Sequence, residues 1–208
     1  MPAVLVPAAR MERWVHNFNG RHGTTGLAVV DGALTGAASD GSTFTARLPF
    51  EGAYAGLPDA AGFAAAAREL PAAWGVLLVR KGGFAVARLA GEEIADSKVG
   101  QRHVQGRTKA GGQSQQRFAR RRDNQARQAY EAAADHAARI LGGLDGPLVA
   151  GGDRTAVDEV LEDPRLRNLH PVEPWLPVPD PRRSVLEAAI GDASAIRVDV
   201  TNADGSSA

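Results

Sequence analysis

Hydrophobic and polar positions repeat with two different periods along the first third of the chain. Residues 9–22 carry apolar side chains at the spacing of one helix face. The apolar members of that face are Met11, Trp14, Val15 and Phe18. The stretch 26–50 reads as short strands separated by Asp31-Gly32 and Asp40-Gly41, which are typical hairpin dipeptides. With the alanine-rich stretch 61–70, the pattern predicts a helix, two or three strands and a second helix.

The clearest strand pattern lies in the middle of the chain. Val76–Val79 is a continuous apolar run of the kind found in a buried central strand. Lys81-Gly82-Gly83 predicts a turn, followed by a returning strand at 84–89 and a third strand at 92–99. This part of the chain is therefore expected to be an antiparallel meander that leads directly into residue 100.

Helices and strands alternate in the part of the chain that follows residue 100. The predicted elements are a long helix at 114–141, a short buried strand at 148–150, a helix at 154–162, a helix near 184–190 and a strand near 195–201. Because a helix that joins two strands of one sheet makes a crossover, this order predicts at least one pair of parallel strands. The proline-rich stretch 163–183 is expected to wrap the surface as an extended segment, and the tail 202–208 to be disordered.

The composition excludes several classes of protein. Hydrophobic residues make up 44% and charged residues 23% of the 208, as in a soluble globular protein. The absence of cysteine excludes disulfides and thiol chemistry and suits a reducing cytoplasm. No run approaches the roughly 18 apolar residues of a membrane span, and no secretory signal is apparent, so no membrane contact is expected. No group of His, Asp and Glu has metal-ligand spacing, so no metal is predicted.

Positive charge is concentrated in one stretch, residues 98–127, although the formal net charge of the chain is +0. Its acidic residue is Asp123, and its cationic residues are Lys98, Arg102, Arg107, Lys109, Arg117, Arg120, Arg121, Arg122 and Arg127. Such a patch is the expected footprint of a polyanion, most often a nucleic acid. A solvated helix face can have the same composition, so charge alone leaves both interpretations open.

The tripeptide Gly111-Gly112-Gln113 lies within the basic stretch, and Ser114 follows as the predicted N-cap of the long helix. Two glycines let the backbone approach a ligand without Cβ atoms in the way. A glutamine amide cannot take up a proton at neutral pH, so a catalytic Gln113 would position a water or stabilise charge. Taken alone, the tripeptide fits a flexible turn equally well.

The wider pattern resembles a known catalytic segment. Gly111-Gly112-Gln113-Ser114, Arg117-Phe118-Ala119-Arg120 and Arg122 together are similar to the catalytic loop and following helix of eukaryotic and archaeal class-1 peptide chain release factors. The strands predicted at 74–79, 84–87 and 148–151 resemble those around that loop, in the same order. The stop-codon-reading and GTPase-binding domains of a full release factor are not expected in 208 residues.

A closer resemblance is to the Vms-like family of release-factor-like peptidyl-tRNA hydrolases in ribosome quality control. Its compact actinobacterial-type members carry segments similar to Arg21-His22-Gly23 and Pro181-Arg182-Arg183. The resemblance implies an α/β (α+β) fold of the release-factor catalytic-domain type, with a ribonuclease-H-like mixed β-sheet and packed helices. It does not imply ribonuclease activity.

The same resemblance implies a function and a set of site residues. The expected activity is codon-independent hydrolysis of peptidyl-tRNA on the large ribosomal subunit, by a cytoplasmic monomer that needs no cofactor. Gln113 would position the hydrolytic water, and Gly111 and Gly112 would give access to the site. The residues expected to contact rRNA or tRNA are Arg107, Lys109, Ser114, Arg117, Arg120, Arg121 and Arg122. Two alternatives stay open: an endonuclease acting at the tRNA acceptor end, and a non-enzymatic ribosome- or RNA-binding factor.

Three parts are predicted along the chain. Residues 1–60 form a helix and a β-hairpin that extend the main domain. Residues 61–162 form the release-factor-like catalytic core with the GGQ segment. Residues 163–208 form a proline-rich C-terminal segment with a short helix, a strand and a disordered tail.

Overall fold

The computed structural model describes residues 3–101 and 130–203. Its contacts divide the chain into two compact units. The first unit consists of Met1–Leu70 and Gly191–Ala208, and the second unit is Pro71–Ile190. Each unit contains one β-sheet, with five strands among the described residues, and helices accompany both sheets. The predicted α+β fold class is therefore confirmed.

Runs of consecutive strands and single helices follow one another through the described ranges. In the part up to Leu70 they are β1 (Val4–Val6), a 3-10 helix (Ala8–Arg10), α1 (Met11–His22), β2 (Thr25–Val30), β3 (Ala33–Ala38), β4 (Thr43–Arg47), a second 3-10 helix (Pro49–Glu51) and α2 (Ala60–Ala66). From Pro71 onwards they are β5 (Trp74–Arg80), β6 (Gly83–Ala90), β7 (Glu93–Gln101), α3 (described over 130–141), β8 (Leu148–Gly152), α4 (Arg154–Leu161), β9 (Pro171–Leu176), α5 (Arg183–Ala193) and β10 (Ile196–Thr201).

The first unit packs α1 and α2 against an antiparallel sheet of order β1-β10-β4-β3-β2. The predicted apolar face of α1 is the buried one, and Phe44 of β4 contacts the rings of Trp14 and Phe18, both at 5.0 Å between centroids. The predicted turn at Asp31-Gly32 is confirmed: both residues have positive φ, 49° and 72°, as tight β-hairpin turns require.

The second unit contains the mixed sheet, of order β7-β6-β5-β8-β9. β6 runs antiparallel to β5 and β7, whereas β8 runs parallel to both β5 and β9. The carboxyl ends of β5, β7, β8 and β9 therefore meet at one edge of the sheet, which we call the carboxyl edge. The predicted parallel pair is thus confirmed. Trp74–Val79 are buried throughout, which explains the continuous apolar run of β5.

One core cluster holds α3 and α4 against this sheet. Ala133, Ala137, Ile140 and Leu141 of α3 pack in the same cluster as Leu77 and Val79 of β5 and Val157 and Val160 of α4. The sequence spaces Ala133, Ala137, Ile140 and Leu141 along one helix face, which predicts that this face is buried. Their burial confirms the prediction in the part of the helix that is described. The remainder of the predicted helix, 114–129, lies outside the described residues.

The proline-rich segment differs from the prediction. Residues 171–176 do not wrap the surface but form β9, which pairs in parallel with β8. Pro171 and Pro174 are compatible with this because β9 is the last strand of the sheet, and an edge strand needs hydrogen bonds on one side only. The expectation of an extended surface segment was therefore wrong for these residues.

The predicted three-part division and the contact-based units cut the chain at different places. Residues 1–60 lie within the first unit. The range 163–208 is shared between both units, because β9 belongs to the second sheet and β10 pairs with β1 and β4 in the first. The predicted disorder of the tail concerns mainly residues 204–208, which lie outside the described residues.

Candidate functional site

The residues predicted to act in the site all lie outside the described ranges. They are Gly111, Gly112, Gln113, Arg107, Lys109, Ser114, Arg117, Arg120, Arg121 and Arg122. Their roles therefore stay predictions. The structure does describe the elements on both sides of them, β7 up to Gln101 and α3 from Tyr130.

The chain enters the predicted site segment from the carboxyl edge of the second sheet. β7 is an edge strand, and its last residues pair with the start of β6: Gly100 is opposite Phe84 and Gln101 is opposite Gly83. The turn between β5 and β6, at Lys81 and Gly82, therefore lies beside the end of β7. This register, and not the sequence spacing, decides which residues neighbour the departing chain.

A ring stack holds the last part of β7 in place. Phe84 packs so closely over Gly100 that a Cβ atom there would collide with its ring. On the α3 side, the same ring stacks on His136, with 5.5 Å between centroids and 28° between planes. Gly100, Phe84 and His136 thus connect β7, β6 and α3 immediately before the chain leaves the sheet.

An ion pair connects the same strand and helix. Arg139 Nη1 of α3 donates to Asp96 Oδ2 of β7 at 2.6 Å. The hydrogen bond from Arg139 holds the pKa of the Asp96 carboxyl below its usual range. Both side chains are about half exposed, so screening by water limits the contribution of the pair to roughly 0.2–1 kcal/mol.

A second arginine binds the same polar side of α3, one turn closer to its described start. Arg165 donates to Asp135 of α3 at 2.7 Å and to Asp163 at 2.6 Å. The side-chain and backbone hydrogen bonds from Arg165 lower the pKa of Asp163 to about 2. Because this pKa lies below the ordinary 3.8, the stabilisation is present above about pH 4 and is lost as the pH falls towards 2.

Tyr130 places the described start of α3 near the beginning of α4. Its side chain packs partly buried against the core cluster. Burial raises the pKa of the Tyr130 hydroxyl, and the nearby carboxylates of Asp153 and Glu159 raise it further. The backbone N–H of Asp153 in turn donates to the carbonyl of Val79, close to the end of β5. Both flanks of the predicted site segment therefore lie towards the carboxyl edge.

The sequence patterns did not identify a cation–π pair at this edge. The guanidinium carbon of Arg154 lies 4.3 Å from the ring centroid of Trp175, and Trp175 Nε1 donates to the Gly152 carbonyl at 3.4 Å. Arg154 and Trp175 are far apart in sequence and meet only because β9 pairs with β8. No periodicity or short motif could have predicted the contact.

Cationic and hydrogen-bonding groups flank the end of β7, and the described ranges contain no cluster of His, Asp or Glu that could hold a metal ion. None of the helices in those ranges combines the length and apolar character needed to cross a membrane. The packed ends of β7 and α3 flank, in sequence, the segment that carries Gly111-Gly112-Gln113.

Comparison with protein families places the chain among release factors. The family model described as Actinobacteria/chloroflexi VLRF1 release factor matches residues 72–199. The chain belongs to this family, which confirms the predicted Vms-like release factor membership. The matched range contains the whole second sheet, both flanks of the predicted site and α5. A comparison with curated proteins gave no significant match.

Proposed function

We propose that the chain is a codon-independent peptidyl-tRNA hydrolase that releases stalled nascent chains on the large ribosomal subunit in the cytoplasm. The observation that carries the proposal is the position of Gly111-Gly112-Gln113. It lies between β7 and α3, inside the range matched by the release factor family. A ribosomal partner also agrees with the basic character of 98–127.

Each predicted residue has a physical role in this proposal. Gly111 and Gly112 let the backbone enter a crowded RNA cavity, because they carry no side chain. Gln113 orients the attacking water through its amide or its backbone N–H, since its side chain cannot act as a base. The cationic side chains neutralise rRNA or tRNA phosphates; they are Arg107, Lys109, Arg117, Arg120, Arg121 and Arg122.

The flanking elements support this assignment. A reacting group must be held close to its productive position, and elements fixed by packing do this better than free loops. Three contacts hold together the elements that flank the predicted site segment: Gly100 against Phe84, Phe84 against His136, and Asp96 with Arg139. Much of the catalytic environment would be ribosomal RNA, so the isolated protein should be a poor esterase.

The test is peptide release from a stalled peptidyl-tRNA on isolated large subunits. We expect Gln113→Ala to slow the single-turnover rate by at least about a hundredfold, the usual cost of removing a group that positions or stabilises the reacting atoms. Gln128→Ala serves as the matched control, because it removes the same amide outside the GGQ tripeptide and should release peptide at the wild-type rate. Equally slow release by the wild type and by Gln113→Ala would contradict the proposal.

The RNA product distinguishes the alternatives in the same experiment. Full-length deacylated tRNA supports ester hydrolysis, whereas a shortened tRNA indicates cleavage at the acceptor end. Tight, salt-sensitive binding to the subunit without peptide release indicates a non-enzymatic factor.

A further inference from the structure

A short segment crosses the carboxyl edge beside the end of β7. Arg80 Nη1, at the end of β5, donates to the carbonyl of Val178 at 2.8 Å. Two residues further on, the carboxylate of Asp180 lies against Gly82 in the turn between β5 and β6. Arg183 Nη1 then donates to Ser97 Oγ of β7 at 3.1 Å. Residues 178–183 therefore bring the start of α5 to the strand from which the predicted site segment departs.

Around this segment, the carboxyl edge carries more cations than carboxylates. Arg80 pairs with Asp180 at 3.6 Å, and Arg183 pairs with Glu187 at 2.8 Å. Close to the end of β7, the exposed cations Lys81, Lys98 and Arg182 have no ion-pair partner among the described residues. We call these three residues the basic edge.

Strand register places the basic edge close to the departing chain. Lys81 lies in the turn that adjoins Gln101, and Lys98 lies three residues before Gln101 in β7, at a distance of roughly 10 Å along the strand. Arg182 precedes Arg183, which is bonded to Ser97 on one face of β7. Lys98 points from the opposite face, the α3 side, where its neighbour Asp96 is already paired with Arg139. The basic edge therefore includes cations from both faces of this edge strand. Carboxylates of α4 and its N-cap, such as Asp153 and Asp158, lie on the β8 side of the sheet instead.

Folding stability does not explain these charges. Arg182 immediately precedes α5, whose first turn contains no acidic residue, and the helix dipole disfavours a cation at that end. Lys81 and Lys98 are solvated and contribute no described ion pair. Unpaired like charges on one edge repel one another weakly, so their concentration there is better explained by an anionic partner.

We infer that the basic edge binds the phosphate backbone of RNA, as a contact additional to the residues predicted within 107–122. The charge of the surface favours a polyanion, and the basic edge adjoins the cationic stretch 98–127, to which Lys98 itself belongs. The choice of RNA rests on the proposed function. Such a contact would orient the second unit on the RNA while the GGQ segment reaches the reacting bond.

The test compares two charge-reversed double variants of the full chain. Lys81→Glu with Arg182→Glu alters the basic edge. Arg68→Glu with Arg167→Glu makes the same charge change at exposed arginines that have no ion-pair partner in the described ranges. Binding to isolated large subunits and to protein-free large-subunit rRNA is measured across a salt series.

We expect the basic-edge variant to bind both probes roughly tenfold more weakly near 0.1 M salt. The slope of log affinity against log salt should decrease by about 2, one for each lost phosphate contact. The control variant should retain at least most of the wild-type affinity. Thermal unfolding should show no loss of stability from Arg182→Glu, because an acidic residue suits the start of α5. The concentration of protein that gives half-maximal peptide release should rise by the same factor as the affinity falls.

Three outcomes would overturn the inference. Wild-type affinity of the basic-edge variant excludes the contact, and an equal loss in the control variant shows an effect of net charge only. Weaker binding to subunits with unchanged binding to protein-free rRNA indicates a protein partner instead. The proposed function fails separately: if Gln113→Ala releases peptide as the wild type does while the basic-edge variant binds RNA weakly, the hydrolase proposal is lost and the RNA contact stands.

Discussion

The packing of β7 next to the predicted site segment depends on residue 100 being glycine. The ring of Phe84 occupies the space that a Cβ atom would need, and Phe84 is itself held by His136. Neither neighbour can move freely, because Phe84 is buried in the core cluster of the second unit. Glycine is therefore required here for close packing rather than for an unusual backbone angle.

We expect Gly100→Ala to lower the free energy of unfolding by about 1–3 kcal/mol, the usual cost of an added methyl group in a tightly packed site. Gly26→Ala is the matched control, since Gly26 also lies in an edge strand, β2, but has no atom within 4 Å of an added Cβ. Urea unfolding of both variants measures the difference. Equal stability of the two would show that Phe84 moves aside without cost.

Contacts such as the one between Gly100 and Phe84 could not be predicted from the sequence. The resemblance singled out Gly111 and Gly112 because they stand in a recognisable motif. Gly100 and Phe84 stand in no motif, and their contact depends on the pairing of β6 with β7. Likewise, Arg154 and Trp175 became neighbours only through the pairing of β8 with β9.

At the scale of elements, α3 determines how the chain returns from the predicted site segment. Its apolar side is buried: Ala133, Ala137 and Leu141 are inaccessible to solvent. Its polar side makes the two ion pairs of Asp135 and Arg139, whose partners are exposed or only half-buried. Because exposed pairs contribute little and buried aliphatic side chains contribute much, packing should dominate the attachment of this helix.

We therefore expect Leu141→Ala to reduce the free energy of unfolding by about 2–5 kcal/mol, and Arg139→Ala by less than about 1 kcal/mol. The first change leaves a cavity in the core, whereas the second removes a screened ion pair. Chemical denaturation of the two variants compares them directly. A larger loss from Arg139→Ala would mean that the ion pair with Asp96, and not the apolar stripe, holds α3 to β7.

Sequence patterns predicted α3 well and β9 poorly. Apolar residues at helical spacing marked the inner side of α3 correctly over its described part. Prolines at 171, 174 and 177 suggested an irregular surface segment, because proline removes a backbone donor. An edge strand tolerates that loss, but the sequence does not reveal that β9 occupies an edge.

At the scale of the whole molecule, two separate cores support the fold. In the first unit, Phe44, Phe63 and Leu34 are buried in one cluster with α1 and α2. In the second unit, Leu77, Val86 and Ile140 belong to another. The predicted site segment and the basic edge both belong to the second unit, so the first unit can be destabilised separately.

We expect Phe63→Ala to speed amide hydrogen exchange in β3 and β4 much more than in β5 and β6. Truncating a buried phenylalanine costs about 3–5 kcal/mol, and its contacts lie within the cluster of the first unit. Leu77→Ala is the reciprocal variant and should act mainly on β5 and β6. Equal acceleration in both sheets would show that the two units unfold as one cooperative body.

The amino-acid sequence by itself determined most of the helices and strands, with β1 and β9 as exceptions, the buried faces of α1 and α3, and the release factor family through the GGQ segment. These follow from residues that are near one another in the chain, whose spacing reflects local backbone geometry. Tertiary structure decided the strand order β7-β6-β5-β8-β9, the register that sets Lys81 beside Gln101, and the approach of Arg183 to Ser97. Such contacts join residues distant in sequence, and their formation depends on how whole elements pack, so no local pattern encodes them.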